Sequence, residues 1–177
     1  VVDYQMQGKN VYLKDLKFDD KGNPMCLYIT SGGHEPGPEN SPREWRLSYW
    51  TGKAWQHTKI TESDHNYDMG SLFIKGKKWY VVAPTTDGPQ RHGAGGEIDI
   101  WESRNKGKKW KHIRNVTQGS KLNHGYVRHV LNGVAPFEYF WADGDPDKMS
   151  TSHLYFGDLD GNVWQLPYDM EGETEVP

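Results

Sequence analysis

Two polar segments of the chain share the pattern His-x-Tyr, in which a histidine and a tyrosine are two residues apart. They are His65-Asn66-Tyr67 and His124-Gly125-Tyr126, and the second is followed by Arg128. Neutral His and Tyr side chains can remove and deliver protons. An Arg guanidinium can hold a carboxylate through two parallel hydrogen bonds. The pattern therefore predicts acid–base chemistry on an anionic ligand.

The reaction that fits these residue types is β-elimination from a uronic acid. Arg or Asn would neutralise the carboxylate, one Tyr or His would remove the proton from the adjacent carbon, and a second would protonate the leaving sugar oxygen. We expect the catalytic residues to be His65, Tyr67, His124 and Tyr126. We expect the substrate-binding residues to be His34, Arg43, Asn66, Arg91, His92 and Arg128.

Two alternatives stay open at this stage. Glycoside hydrolysis needs two carboxylates set apart by a defined distance, and the same loops contain Glu35, Asp64, Asp68 and Asp87. The alternative from another class is a non-catalytic glycan-binding or scaffold protein.

The sequence predicts no cofactor, because it contains no serine-nucleophile motif, no P-loop and no cysteine metal site. The Asp-Leu-Asp-Gly loop at residues 158–161 would suit a structural calcium ion, although no Glu follows at the spacing of an EF-hand.

A repeat indicates how these residues are positioned. Gly-x-x-Trp occurs three times, with the tryptophans at Trp55, Trp110 and Trp164. Strand-like runs precede each copy, at residues 45–50, 97–101 and 153–156. Two further candidate strands lie upstream in each unit, at 11–18 and 25–30, at 71–74 and 78–83, and at 127–131 and 137–142. Gly, Asn and Asp mark the turns between them.

Four short antiparallel strands in each unit are typical of a β-propeller blade. The sequence thus predicts an all-β chain with blades at about 8–62, 63–118 and 119–168 and a C-terminal tail at 169–177. A β-sandwich with coincidental Trp spacing is the alternative. Propellers close with about 4–8 blades, so we expect a partial propeller completed by N-terminal blades of the same protein.

The topology of a four-stranded meander predicts where the polar residues meet. Connections between blades and loops between second and third strands emerge at the same end of the strands. We therefore expect residues 65–67 to approach residues 124–128, with Arg91 and His92 between them and with His34 and Arg43 overhanging from the first blade.

Composition excludes several classes of protein. Aromatic residues make up 13% of the chain, which argues against disorder, and no apolar run approaches 18 residues, which excludes a membrane-spanning segment. The net charge of −3 argues against a nucleic-acid partner. The expected partner is an oligo- or polysaccharide.

Several segments resemble the BNR-repeat proteins of carbohydrate-degrading bacteria. They lie at residues 64–72, 84–90, 140–144 and 161–168, and the turn at 103–110 resembles the Asp-box of sialidase-type propellers, with Asn105 in place of Asp. The resemblance implies a seven-bladed propeller of which this chain is the C-terminal portion.

The same resemblance implies a function. Relatives include ulvan lyases and enzymes that release rhamnose from glucuronate by hydrolysis or elimination. The His, Tyr and Arg pattern of the lyases maps onto His65, His124, Tyr126 and Arg128. Such proteins are exported, which implies a secreted or periplasmic location.

Overall fold

The chain folds into antiparallel sheets in a computed structural model that describes residues 2–169. The first sheet contains β1 (Asn10–Phe18), β2 (Pro24–Ser31), β3 (Arg43–Trp50) and β4 (Trp55–Ser63). The middle sheet contains β5 (Ser71–Lys75), β6 (Lys78–Thr86), β7 (Glu97–Ser103) and β8 (Lys111–Asn115). The third sheet contains β9 (Asn123–His129), β10 (Tyr139–Gly144), β11 (Leu154–Gly157) and β12 (Val163–Gln165).

Each sheet is a meander in which consecutive strands are hydrogen-bonded neighbours. The prediction of an all-β chain with three four-stranded antiparallel units is confirmed. Two short 3-10 turns, at Gln5–Gln7 and Pro38–Asn40, complete the regular structure in the described part of the chain. The predicted tail at 169–177 lies outside the described residues except for Asp169.

The middle sheet buries both of its faces. Side chains of a strand point alternately to its two faces, and β6 follows this rule: Trp79 and Val81 pack towards the first sheet, while Tyr80 and Val82 pack towards the third. One apolar core therefore lies on either side of the middle sheet. This arrangement fixes the ends of the strands, from which the polar loops emerge.

The turn between β7 and β8 has the hydrogen bonds expected of an Asp-box. Asn105 Oδ1 accepts from the Lys109 amide at 2.9 Å, and Ser103 Oγ accepts from the Gly107 amide at 2.9 Å. Trp110 packs against the core between the first and middle sheets. This motif therefore supports the fold, with an Asx side chain bonding turn amides and a packed Trp.

The start of the third sheet corrects the sequence analysis. Strand β9 begins at Asn123, whereas the predicted strand covered residues 127–131, and β10 begins at Tyr139 rather than at residue 137. The prediction that the strand starts at residue 127 was therefore wrong, since residues 123–126 belong to it. These residues are polar, yet they form part of a strand. His124 pairs with Asp143 across the third sheet, and its backbone forms a bridge to Gly96 of the middle sheet.

Gly107 offers a test of the packing between the first and middle sheets. Its φ is +75°, and a Cβ there would lie 2.8 Å from Trp79 Cζ3 and 3.1 Å from Leu47 Cδ2. Gly107→Ala should lower the free energy of unfolding by about 3 kcal/mol, because left-handed strain and overpacking add. Gly76 is the matched control: its φ is +59° and no atom lies within 4 Å of its added Cβ.

Gly76→Ala should therefore cost only the left-handed strain, about 1 kcal/mol. Urea unfolding of both variants gives the comparison. Equal losses in the two variants would contradict the close approach of the β7–β8 turn to Trp79 and Leu47.

Candidate functional site

His65 is at the centre of a buried charged cluster in the loop between β4 and β5. Its side chain is 2% exposed, with Nδ1 3.0 Å from Asp64 Oδ1 and Nε2 3.4 Å from Asp68 Oδ2. Asp68 is fully buried. The loop therefore places one imidazole between two carboxylates out of contact with solvent.

The charges of this cluster follow from its geometry. Burial alone lowers the pKa of His65, but the bonds to Asp64 and Asp68 outweigh burial and raise the pKa to about 8. Burial raises the pKa of Asp64, yet the His65 ring, the His92 amide and Arg91 together lower it. At neutral pH His65 is an imidazolium whose Nδ1 donates to Asp64 Oδ1, while its Nε2 faces Asp68 Oδ2 in an ion pair at 3.4 Å. It therefore stabilises charge and fixes its neighbours, and has no free nitrogen to accept a proton.

Asp68 joins this loop to the third sheet. Its Oδ1 accepts hydrogen bonds from the amides of Met69 and Tyr126, both at 2.7 Å. Gly125 allows this approach, since a Cβ at that position would lie 2.8 Å from Asp68 Oδ2. The imidazolium of His65 thus fixes the carboxylate that in turn holds the backbone of β9.

Tyr126 has a strained backbone at the point where Asp68 binds it. Its φ is +60°, and the pairing of β9 with β10 shifts register between Phe140 and Ala142, which marks a β-bulge. Tyr126 is 58% exposed and Arg128 is also exposed, whereas Val127 between them is buried. Bulges re-aim side chains next to active sites, and left-handed non-glycine residues concentrate at functional sites.

A second bulge brings a buried lysine to the same region. The register of β1 with β2 shifts between Leu13 and Asp15, and Lys14 is the buried residue at this shift. Lys14 Nζ donates to the Asn66 carbonyl at 2.6 Å. Burial lowers the pKa of Lys14 to about 8; the charge of Asp68 opposes this shift and that of Arg128 adds to it. Sequence reasoning missed Lys14, although Leu13-Lys14-Asp15 breaks the alternation of the strand.

A cleft of about 290 Å³ opens beside Tyr126. Its polar lining includes Asp68, Asn123, Tyr126, Asp143, Asp145 and Ser152. Asp143 also accepts hydrogen bonds from Tyr155 Oη at 2.9 Å and from the His153 amide at 2.6 Å. The cleft thus combines an exposed phenol with fixed acceptors, a lining suited to a hydroxyl-rich ligand.

His124, which lies in β9 between two residues that line the cleft, is held in one tautomer. Trp141 Nε1 donates to His124 Nδ1 at 2.9 Å. An indole N–H can only donate, so Nδ1 carries no proton and the proton of the neutral ring is on Nε2. Burial lowers the pKa of His124, in agreement with a neutral ring. His124 can therefore donate a hydrogen bond from Nε2, while Nδ1 is occupied and cannot act as a base.

Arg91 and His92 meet the cluster from the loop between β6 and β7. Arg91 Nε lies 3.1 Å from Asp64 Oδ2, and Arg91 Nη1 lies 2.6 Å from Asp87 Oδ2. The His92 amide donates to Asp64 Oδ2 at 2.9 Å, with a φ of +63° at His92. The structure thus brings both residues to His65, as the topology of the loops predicts.

Asn66 and Tyr67 flank His65 but differ in exposure. Asn66 is buried, and its Nδ2 donates to the Gly33 carbonyl at 3.1 Å, so its amide holds the β2–β3 loop. Tyr67 is 49% exposed and packs edge-on against Tyr12, with ring centroids 5.5 Å apart. Partial desolvation and the neighbouring Tyr12 raise the pKa of Tyr67, which favours its protonated form.

His34 and Arg43 belong to the β2–β3 loop of the first sheet. His34 is exposed, with Nε2 3.0 Å from Glu35 Oε1. Arg43 is fully buried, and its Nη2 donates to the Glu35 carbonyl at 2.9 Å. This guanidinium holds its own loop, so we leave Arg43 out of the proposed ligand contacts.

No protein-family model matches the chain, and no curated protein matches it. Within residues 2–169, no group of three or more His, Cys, Asp and Glu side chains could hold a metal ion. In the 158–161 loop, Asp158 Oδ1 accepts from the Asn162 amide. No helix in the same described range is long and apolar enough to cross a membrane.

The charge of His65 makes a testable contribution to stability. Its pKa of about 8 in the folded chain lies above the ordinary value of about 6.5. The resulting stabilisation, about 2 kcal/mol, should be complete below pH 6.5 and lost as the pH rises through 8. His65→Gln should lower stability at every pH and abolish this pH-dependent part.

Urea unfolding of the wild-type chain and of His65→Gln between pH 6 and 8.5 measures the difference. Lys14 titrates in the same range in both proteins, so the difference between them reports on His65. His34→Gln, at an exposed imidazole, is the control and should keep the wild-type profile. Identical pH profiles for wild type and His65→Gln would show that His65 is not an imidazolium.

Proposed function

We propose that this chain is part of a carbohydrate-active enzyme that cleaves glycosidic bonds in uronate-containing glycans by β-elimination. The observation that carries the proposal is Tyr126: an exposed phenol at a strained bulge, fixed through Asp68 by the buried imidazolium of His65. The BNR-repeat resemblance supports the same reaction and favours rhamnose-glucuronate glycans and an exported protein, secreted or periplasmic.

Cations near the phenol supply the first requirement of the reaction. A uronate carboxylate must be neutralised before the adjacent carbon can lose its proton. Arg128 is exposed two residues after Tyr126, and Lys14 is close enough to Arg128 for the two charges to interact. In the proposed complex Arg128 binds the carboxylate, and Lys14 adds positive potential from below.

The two exposed tyrosines fit the proton transfers. Tyr67 directly precedes Asp68, and the backbone amide of Tyr126 donates to the Asp68 carboxylate, so the backbones of both tyrosines adjoin one residue. In the proposed step the phenolate form of Tyr126 takes up the proton next to the carboxylate, the electron pair forms the ring double bond, and the bond to the leaving oxygen breaks. Tyr67, whose raised pKa keeps it protonated, delivers a proton to that oxygen. Proton exchange with solvent then returns Tyr126 to the phenolate and Tyr67 to the phenol.

The engagement of the two buried carboxylates favours elimination over hydrolysis. Hydrolysis requires one carboxyl group as acid and another as base or nucleophile. Asp64 is bonded to His65, His92 and Arg91, and Asp68 is bonded to His65 and two backbone amides. These contacts occupy Asp64 and Asp68 Oδ1 with partners inside the protein.

The outer face of the third sheet supports a larger propeller. Phe140 is 44% exposed and Leu154 is 51% exposed on this sheet. Beside them Phe156 stacks on Phe137 and Trp164, with ring centroids 4.6 and 5.6 Å apart. A sheet face of this apolar character needs a packing partner. We propose that further blades of the same protein cover it, as in the seven-bladed ring that the resemblance implies.

Charged substitutions on this face of the third sheet test whether further blades cover it. In the protein with its proposed additional blades, Phe140→Lys with Leu154→Lys should lower the free energy of unfolding by about 3 kcal/mol or more, because two ammonium groups would be buried. Leu131→Lys, at a residue 85% exposed in the β9–β10 connection, is the control and should change stability by about 0.5 kcal/mol or less. Equal changes in the free energy of unfolding for the two variants would show that no further blade covers this face.

The proposed reaction is tested with Tyr126→Phe, assayed by ultraviolet absorbance of unsaturated uronate on a panel of uronate polysaccharides. Loss of a proton-transfer group should reduce kcat by about 100-fold or more. KM should change by less than about threefold, because the carboxylate contact with Arg128 remains. Tyr4→Phe is the control, since the Tyr4 hydroxyl bonds Tyr28 on the first sheet.

Three results would contradict the proposed reaction. Wild-type activity in Tyr126→Phe would remove this residue from the mechanism. Reducing-sugar release without absorbance would indicate hydrolysis. Glycan binding with neither signal would indicate a non-catalytic binding protein.

A further inference from the structure

A basic surface lies at the end of the middle sheet opposite to the His65 cluster. It consists of the β5–β6 hairpin, residues 75–78, and the segment 104–114 from the β7–β8 turn through β8; we call it the basic rim. Nine of the 21 Lys and Arg residues of the chain lie in these two segments, which contain no Asp or Glu. The remaining 12 basic residues accompany 24 acidic ones. Positive charge is therefore concentrated on one part of an acidic protein.

The charges of the basic rim are largely without counterions. Lys77, Lys106, Lys108 and Lys109 are exposed, and the salt bridges found in residues 2–169 include none of them. Glu102 pairs with Lys78 and Arg104, and Glu138 pairs with Lys75, so these two carboxylates neutralise part of the rim. Unneutralised like charges at this density raise the local positive potential and attract polyanions.

The fold holds these charges in place. The Asp-box hydrogen bonds of Ser103 and Asn105 fix the turn that presents residues 106–109. The Lys78 and Glu102 side chains link this turn to the β5–β6 hairpin at 3.7 Å. A groove of about 470 Å³ runs along the rim, and its lining includes Arg104, Lys109, Trp110 and Lys111. A fixed array of cations beside a groove suits an extended anionic chain.

We propose that the basic rim is a second glycan-binding surface, which holds an anionic polysaccharide away from the cleft. The choice of a glycan over a nucleic acid rests on the proposed function, since a uronate polysaccharide carries regularly spaced negative charges. Strand β7 runs between the end of the middle sheet near the His65 cluster and the end that carries the basic rim, and its seven residues span about 20 Å. A long chain held at the rim raises the local concentration of cleavable units around the protein.

The experiment measures binding of a polyanion without cleavage. The probe is dextran sulfate, immobilised in a biosensor, with neutral dextran as the blank. We expect binding that weakens steeply between low and physiological salt, as for exposed charges. Lys108→Glu with Lys109→Glu should weaken binding about tenfold. Lys121→Glu with Lys148→Glu makes the same change in net charge elsewhere and should alter binding by less than about twofold.

A second rim variant, Lys77→Glu with Lys106→Glu, repeats the test at other positions in case the first fails to fold, and circular dichroism checks each protein. Equal losses of binding in the rim and control variants would overturn the proposal, because the attraction would then depend on the net charge of the protein and not on the basic rim. Binding of single-stranded DNA as tight as that of dextran sulfate would identify a nucleic-acid surface instead. Tyr126→Phe should bind dextran sulfate like the wild type. If the proposed elimination reaction is wrong, this binding test therefore still decides whether the basic rim binds polyanions.

Discussion

A protonated imidazole buried between two carboxylates connects three parts of this molecule. His65 bonds Asp64, which accepts the His92 amide from the β6–β7 loop, and it faces Asp68, which accepts the Tyr126 amide from β9. Removing one partner of a buried ion pair is costly, about 3–5 kcal/mol, because the remaining charge has no compensation. The position of the exposed phenol at Tyr126 therefore depends on a charge that no solvent reaches.

Two irregular strands make this arrangement chemically useful. In a regular strand, Asp15 would point to the face opposite to Lys14, and Tyr126 would have an extended backbone. The bulge in β1 instead lets Lys14 bond the Asn66 carbonyl and lets Asp15 accept from the Leu72 amide. The bulge in β9 re-aims the phenol at the edge of the cleft. The strain at Tyr126 is offset by the Asp68 hydrogen bond and by the close approach that Gly125 permits.

The sequence was informative about the sheets and less so about the site. The Gly-x-x-Trp repeat and the alternation of strands such as β6 are local signals, so the three four-stranded sheets could be predicted. The convergence of residues 65–67 with Arg91, His92 and β9 followed from the topology of a meander. The start of β9 could not be predicted, because the partners of His124, Trp141 Nε1 and the Gly96 backbone, are distant in sequence. The burial of Lys14 could not be predicted either, because its hydrogen-bond acceptor, the Asn66 carbonyl, is 52 residues away.

The charge state of His65 is the claim on which the proposed chemistry depends most directly, and nitrogen-detected NMR of the His65 ring measures it. We predict that both ring nitrogens carry protons at pH 7 and that the ring titrates with a pKa of about 8. His124 provides an internal contrast, since its Nδ1 accepts from Trp141 and should carry no proton. A His65 pKa below the ordinary value of about 6.5, or an unprotonated Nε2 at pH 7, would contradict the account.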